Sequence, residues 1–133
     1  MSNQLREVIA RTAGGAYGQS IEIGPHRLSA DESVAAGGAD IGPAPHEFLL
    51  AALASCASMT AKAYAAHKGL PLRAVEVHVR GHHEDGVFVI ERHIALDGDL
   101  DDEQHARVIE IASRCPVART LSAPIKIVSL AEW

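Results

Sequence analysis

Apolar and polar positions alternate at the start of the chain, give way to a long apolar stretch in the middle, and alternate again beyond it. Residues 5–12, 17–23 and 26–31 each predict a short strand; Gly14-Gly15 breaks the first, and Gly24-Pro25 is a strong turn signal between the other two. Residues 35–45 hold Gly37, Gly38, Gly42, Pro43 and Pro45, too many breakers for a regular element. The run 46–68 is rich in alanine and leucine and predicts a helix that Gly69 ends, with His67 and Lys68 in its last turn. It is apolar nearly all round, so it is expected as a buried central helix. Val75, Val77 and Val79 alternate with Glu76, His78 and Arg80, a half-buried strand answered by 87–96 across a connection at 81–86. Residues 101–114 predict a second helix with an acidic start, burying either Ala106, Ile109 and Ala112 or Val108 and Ile111, and Pro116 interrupts it. Residues 124–130 predict a closing strand with Ile125, Ile127 and Leu130 facing in. Strands, helix, hairpin, helices and a last strand form an α+β pattern, expected as one domain over 1–133.

Composition narrows the function. A formal net charge of −5 and the absence of a Lys/Arg run argue against nucleic acid as a partner. Ser, Thr and Lys interrupt the apolar run, which argues against a membrane span, and the N-terminus has no apolar core of a signal peptide. The expected compartment is the cytoplasm, where a static disulfide is disfavoured and a transient catalytic one is allowed. Of the 8 histidines, His82 and His83 precede Glu84-Asp85 in an expected solvated turn, and neither cysteine has a CxxC or HxxxH companion, so no metal site is expected. No glycine-rich phosphate loop and no G-x-S-x-G elbow is present, and no bound cofactor is expected.

The candidate chemistry lies in two thiols. Thiolate is the nucleophile, and a cysteine is activated by a nearby cation or a helix N-terminus. Cys115 precedes Pro116; a residue before proline leaves the α region and proline suits the first helical position, so Cys115 is expected as the N-cap of a short helix over 116–121, its sulfur near free backbone N–H groups. Cys56 stands mid-helix and needs a cation from elsewhere. Arg27 and Arg11 in the strand region are the candidates, while Arg114 and Arg119 flank the other thiol. Such an arginine needs a carboxylate to hold its fork, and Glu47 is the obvious one. Glu47 and Cys56 are 9 residues apart. At about 100° and 1.5 Å per residue they face opposite sides of one straight helix, some 13 Å apart along it. If both serve one site, Glu47 comes from a partner subunit. The residues alone leave a blander reading open, with both cysteines as small hydrophobes and Glu47 as an acidic residue favoured at a helix start.

At these residues the chain resembles the OsmC/Ohr family of osmotically induced and organic hydroperoxide resistance proteins. Pro45-His46-Glu47-Phe48-Leu49-Leu50-Ala51 leading to Cys56 resembles the family's P-x-E-L-L-x-A-x-x-x-x-C helix, and Cys115-Pro116-Val117 its C-P-V motif. The Gly37-Gly38 loop and Cys56-Ala57-Ser58-Met59-Thr60 look like a less characterised branch. The resemblance implies an α+β fold in which two chains intertwine as a homodimer, long central helices lying between sheets, with active sites at the subunit interface. It implies Cys56 as the peroxidatic thiol, Cys115 as the resolving thiol, and Glu47 orienting an arginine, with Arg27 the first choice and Arg11 the second. The substrate implied is a small organic hydroperoxide, and the reductant an external dithiol, typically lipoyl-linked. The alternatives are a non-catalytic protein binding a small ligand in the same pocket and a stress-linked module with inert cysteines.

Overall fold

The computed structural model describes residues 4–130. The elements run β1 (Val8–Thr12), β2 (Gln19–Ile23), β3 (His26–Ala30), a 3-10 turn (Val34–Ala36), α1 (Pro45–Lys68), β4 (Leu72–Glu84), β5 (Val87–Gly98), α2 (Asp102–Ser113) and α3 (Pro116–Leu121). The mixed α+β class is as the pattern predicts. The chain divides into two compact units, Met1–Leu49 and Leu50–Trp133.

In the first unit β1, β2 and β3 form an antiparallel meander. Ile23 pairs with His26, so Gly24-Pro25 is a two-residue turn, and Gly24 takes φ +55 at the position where such a turn demands glycine. The first strand is shorter than expected because the register opens at Val8 opposite Ile23, and residues 5–7 have no strand to pair with. The glycine- and proline-rich loop is not wholly irregular. A 3-10 turn begins it, and Asp31, buried, gathers the rest. The Asp31 carboxylate accepts from the amide of Glu32 at 2.7 Å, of Ala39 at 3.1 Å and of Ile41 at 3.3 Å.

Burial pushes the Asp31 carboxyl up; the Glu32, Ile41 and Ala39 amides outweigh it and hold the group below its ordinary value of 3.8. Because the folded value lies below the unfolded one, the charge contributes fully above pH 3.8 and its contribution is lost as the pH falls through the folded value. Asp31→Asn should therefore melt roughly 4 °C below the parent at neutral pH. That gap should narrow as the pH falls below 3.8. Thermal melts between pH 7 and pH 3 check it, and a gap that stays constant would show that the charge is irrelevant to the loop.

In the second unit β4 and β5 form a long antiparallel hairpin. Its connection is tighter than expected: Asp85 (φ 49) and Gly86 (φ 79) make the whole turn, and both strands run up to it, Glu84 facing Val87. Two positive φ values match the twist of the flanking strands, which lets residues 81–84 pair instead of looping. A register shift between Leu72 and Ala74 absorbs one residue, so Leu72 and Val75 both face the core. Gly69 (φ +66) ends α1 as expected, with the Leu70 amide reaching back to the Ala65 carbonyl at 2.8 Å. Asp101 and Gln104 form a reciprocal capping box at the start of α2.

The core lies where α1 meets the hairpin and α2. Leu53, Ala57, Ala61 and Ala65 form the buried stripe of α1, at a spacing of one turn. Ala61 and Ala65 pack with Leu72, Val108 and Ala112, which settles the buried side of α2 in favour of Val108 and Ala112; Ala106 is exposed. Two expectations are corrected. The central helix is not buried all round: beyond its one stripe apolar side chains stay exposed, Met59 at 70%. By length and hydropathy alone, α1 would also pass as a membrane span. The closing strand over 124–130 does not form, because among the described residues no strand is paired with it; Ile125, Ile127 and Leu130 are exposed rather than inward.

Candidate thiol site

Both cysteines are free thiols in the second unit, and the fold brings them into one apolar cluster. Leu53, Ala57 and Cys115 are its buried members, with Cys56, Ile90 and Val117 among those packed around them. Cys56 precedes the buried stripe position Ala57 by one residue, which turns its side chain to the stripe's edge and leaves it half-buried. Cys115 is fully buried.

As expected, Cys115 is the N-cap of α3, extended at φ −60 and ψ 156, with Pro116 in the first turn. Its carbonyl accepts the first helical bond, from Arg119 N–H at 3.1 Å. The expectation that its own sulfur meets the free amides is corrected, for Cys115 makes no side-chain cap. The free amide goes across the fold instead. Val117 N–H, an orphan donor in the first turn, points at Cys56 Sγ at 3.5 Å. The one hydrogen-bond donor at the Cys56 sulfur among the described residues thus comes from the head of α3. Val117 supplies it through its backbone, and no side-chain motif announces such a contact.

Along α1 the sulfur of Cys56 opens into a groove of about 500 Å³ lined by Ala52, Ser55, Met59, Thr60, Ala63 and Val117. The walls are mostly hydrocarbon and offer no charge. Arg114, which flanks Cys115, is tied to Glu110 on α2; Arg119 lies in the last turn of α3. Among the described residues no three His, Cys, Asp or Glu side chains gather in an arrangement that could hold a metal ion.

The remaining candidates lie in the first unit. Arg27 and Arg11 are both engaged by Glu22, at 2.5 Å and 3.0 Å, on the exposed side of the meander. The hydrogen bond from Arg27 leads, with that from Arg11 next, in holding the Glu22 carboxyl below its ordinary value. Glu22 was not among the sequence candidates. The two-residue turn at Gly24-Pro25 places it directly opposite Arg27, so strand pairing was the available signal. Glu47 sits in the first turn of α1, where its carboxylate accepts from Ala44 N–H at 2.8 Å, half of a capping box. His26, like Arg27, is exposed.

A family model described as OsmC-like protein matches residues 37–129. No curated protein matches the chain. Among solved structures the chain is similar to an OsmC-like protein from Mycoplasma pneumoniae, with a TM-score of 0.77 and 21% identity over 91% of this chain and 89% of that one. It is similar to an organic hydroperoxide resistance protein OsmC from Legionella pneumophila, with a TM-score of 0.68 and 16% identity over 91% of each chain. It is also similar to the organic hydroperoxide resistance protein OhrB of Bacillus subtilis, with a TM-score of 0.62 and 21% identity over 90% of this chain and 91% of that one. At such identities the likeness is one of fold.

Proposed function

The chain belongs to the OsmC-like protein family, and from that premise we propose that it is a thiol-dependent peroxidase acting on organic hydroperoxides. The observation that carries the reading is the Val117 amide on the Cys56 sulfur, at the head of the helix that Cys115 caps. A donor at that point has the polarity an anionic sulfur accepts. The names of two of the similar structures, both organic hydroperoxide resistance proteins, support the substrate class.

In this reading the Cys56 thiolate attacks the O–O bond of ROOH. The sulfur gains one oxygen as a sulfenic acid, and RO⁻ takes a proton and leaves as the alcohol. Cys115 then attacks that sulfenic sulfur, its thiol proton leaving with the hydroxyl as water, and a Cys56–Cys115 disulfide remains. An external dithiol, such as a lipoyl-linked one, reduces it by exchange and leaves as its own disulfide. The two thiols carry both electrons, so the cycle uses no bound cofactor. A reducing compartment such as the cytoplasm supplies the dithiol.

A homodimer completes the site. The apolar groove beside Cys56, with Met59 exposed at 70%, and the exposed Ile125, Ile127, Val128 and Leu130 present hydrocarbon that a second copy would cover. Glu47 of the partner subunit would then be available to the sulfur, since Glu47 and Cys56 of one chain face opposite sides of α1, and Arg27 would be the arginine that it orients. The full burial of Cys115 favours one second reading, a small-ligand-binding protein with inert cysteines.

A steady-state assay with a lipoyl dithiol and a panel of peroxides, run on protein whose mass is read by light scattering, tests the proposal. Turnover of cumene and tert-butyl hydroperoxides well above that of hydrogen peroxide, by a species of twice the chain mass, is expected, since an apolar groove favours an alkyl tail. Equal rates would refute the substrate class, and a monomer would refute the assembly.

A further inference from the structure

A second cavity, of about 560 Å³, lies in the same unit between β5, α2 and α3, and neither thiol lines it. Leu53, Ile90, Ile94 and Leu121 give it an apolar wall, Ser113 and Ser122 a polar one, and among the described residues Arg92 is its one charged side chain. Arg92 stands on the inward face of β5, where Ile90 and Ile94 flank it at alternate positions. Its Nη2 donates to the Ser113 carbonyl at 2.9 Å. Its Nη1 is buried and has no hydrogen-bond partner. Among the described residues no carboxylate forms an ion pair with Arg92.

A guanidinium nitrogen shut away from water without an acceptor is costly, and helix packing alone would be served as well by leucine or methionine. The volume is in the range of small-ligand pockets, about 300–1,000 Å³. An apolar wall beside a single guanidinium suits an amphiphile with one anionic end. A carboxylate fits that donor because its oxygen accepts a charge-assisted bond and its single charge balances the arginine. We propose that this cavity is a binding site for a small alkyl carboxylate, its head on the Arg92 guanidinium and its chain along Leu53, Ile90, Ile94 and Leu121. The site stands apart from the Cys56 groove and does not rest on thiol chemistry.

Calorimetric titration of the full chain with octanoate tests it. Saturable binding of one octanoate per chain is expected, weakened roughly tenfold or more in Arg92→Met. 1-Octanol should bind the parent and Arg92→Met alike. Ala118→Leu, which pushes a larger side chain into the cavity from α3, should weaken octanoate to a similar degree with Arg92 intact, and it decides the matter should Arg92→Met fail to fold. Equal octanoate affinity in the parent and the folded variants would overturn the proposal, as would inorganic phosphate displacing octanoate at equal concentration, or a folded parent that binds no octanoate.

Discussion

Cys56→Ser should reduce hydroperoxide turnover to the uncatalysed background while leaving the fold intact. The substitution keeps the size of the side chain and keeps an acceptor for the Val117 amide, so the head of α3 has no reason to move. What it removes is the sulfur. A serine hydroxyl is not ionised near neutral pH without a base beside it, and the groove around position 56 holds only Ala52, Ser55, Met59, Thr60, Ala63 and Val117. Nor does an alcohol oxygen expand to a stable oxidised state as sulfur does. The loss should therefore appear in the chemical step and not in stability. Thermal melts and a stopped assay with tert-butyl hydroperoxide separate the two. Alkylation offers an independent check, because a half-buried Cys56 should label ahead of the fully buried Cys115. Full turnover in the folded variant would move the chemistry away from Cys56.

Much of the fold follows from local rules that operate within a few residues. Gly69 stops α1 because a left-handed residue is needed there, and Cys115-Pro116 starts α3 because proline dictates its neighbour's backbone as well as its own. Alternation gave the inward residues of β4 for the same reason, since side chains change face at each step. The thiol contact is of another kind. Cys56 and Val117 are 61 residues apart, and their meeting depends on how α3 returns across the buried stripe of α1. No spacing rule encodes it, and a backbone amide leaves no trace in residue identity.

Two further residues are legible in the sequence. Arg92 interrupts the apolar inward series of β5, an exception that alternation itself exposes, and Glu22 faces Arg27 once the Gly24-Pro25 turn is counted as two residues. The apolar surplus of α1 and of 124–130 taught a different lesson. Hydropathy records that a surface is to be covered but not by what. One chain covers only the stripe Leu53, Ala57, Ala61 and Ala65 and leaves Met59 and Ile127 bare. The second copy proposed above would satisfy the pattern.

Replacing the second thiol should give turnover that starts but does not last. In Cys115→Ala the Cys56 sulfenic acid still forms, yet nothing inside the cluster captures it. Under excess hydroperoxide it should advance to the sulfinic acid, seen in intact-mass spectra as added oxygen confined to Cys56, while dithiol-supported turnover fades after the first cycles. Alanine is preferred to serine here for a structural reason. Position 115 is an N-cap, and a serine hydroxyl there competes for the first-turn amides of α3, including the Val117 N–H that now faces Cys56. Cys115→Ser would thus change two things at once, whereas alanine leaves the amide to the sulfur at a packing cost of about 1 kcal/mol. Burial also sets the order of the reductive half. Cys115 is inaccessible and Cys56 borders an open groove, so the external dithiol should attack the Cys56 sulfur and expel Cys115 as the leaving thiolate. A mixed disulfide trapped with a monothiol should accordingly sit on Cys56. Undiminished turnover in Cys115→Ala, with no oxygen added to Cys56, would mean that the buried thiol is only a packing residue.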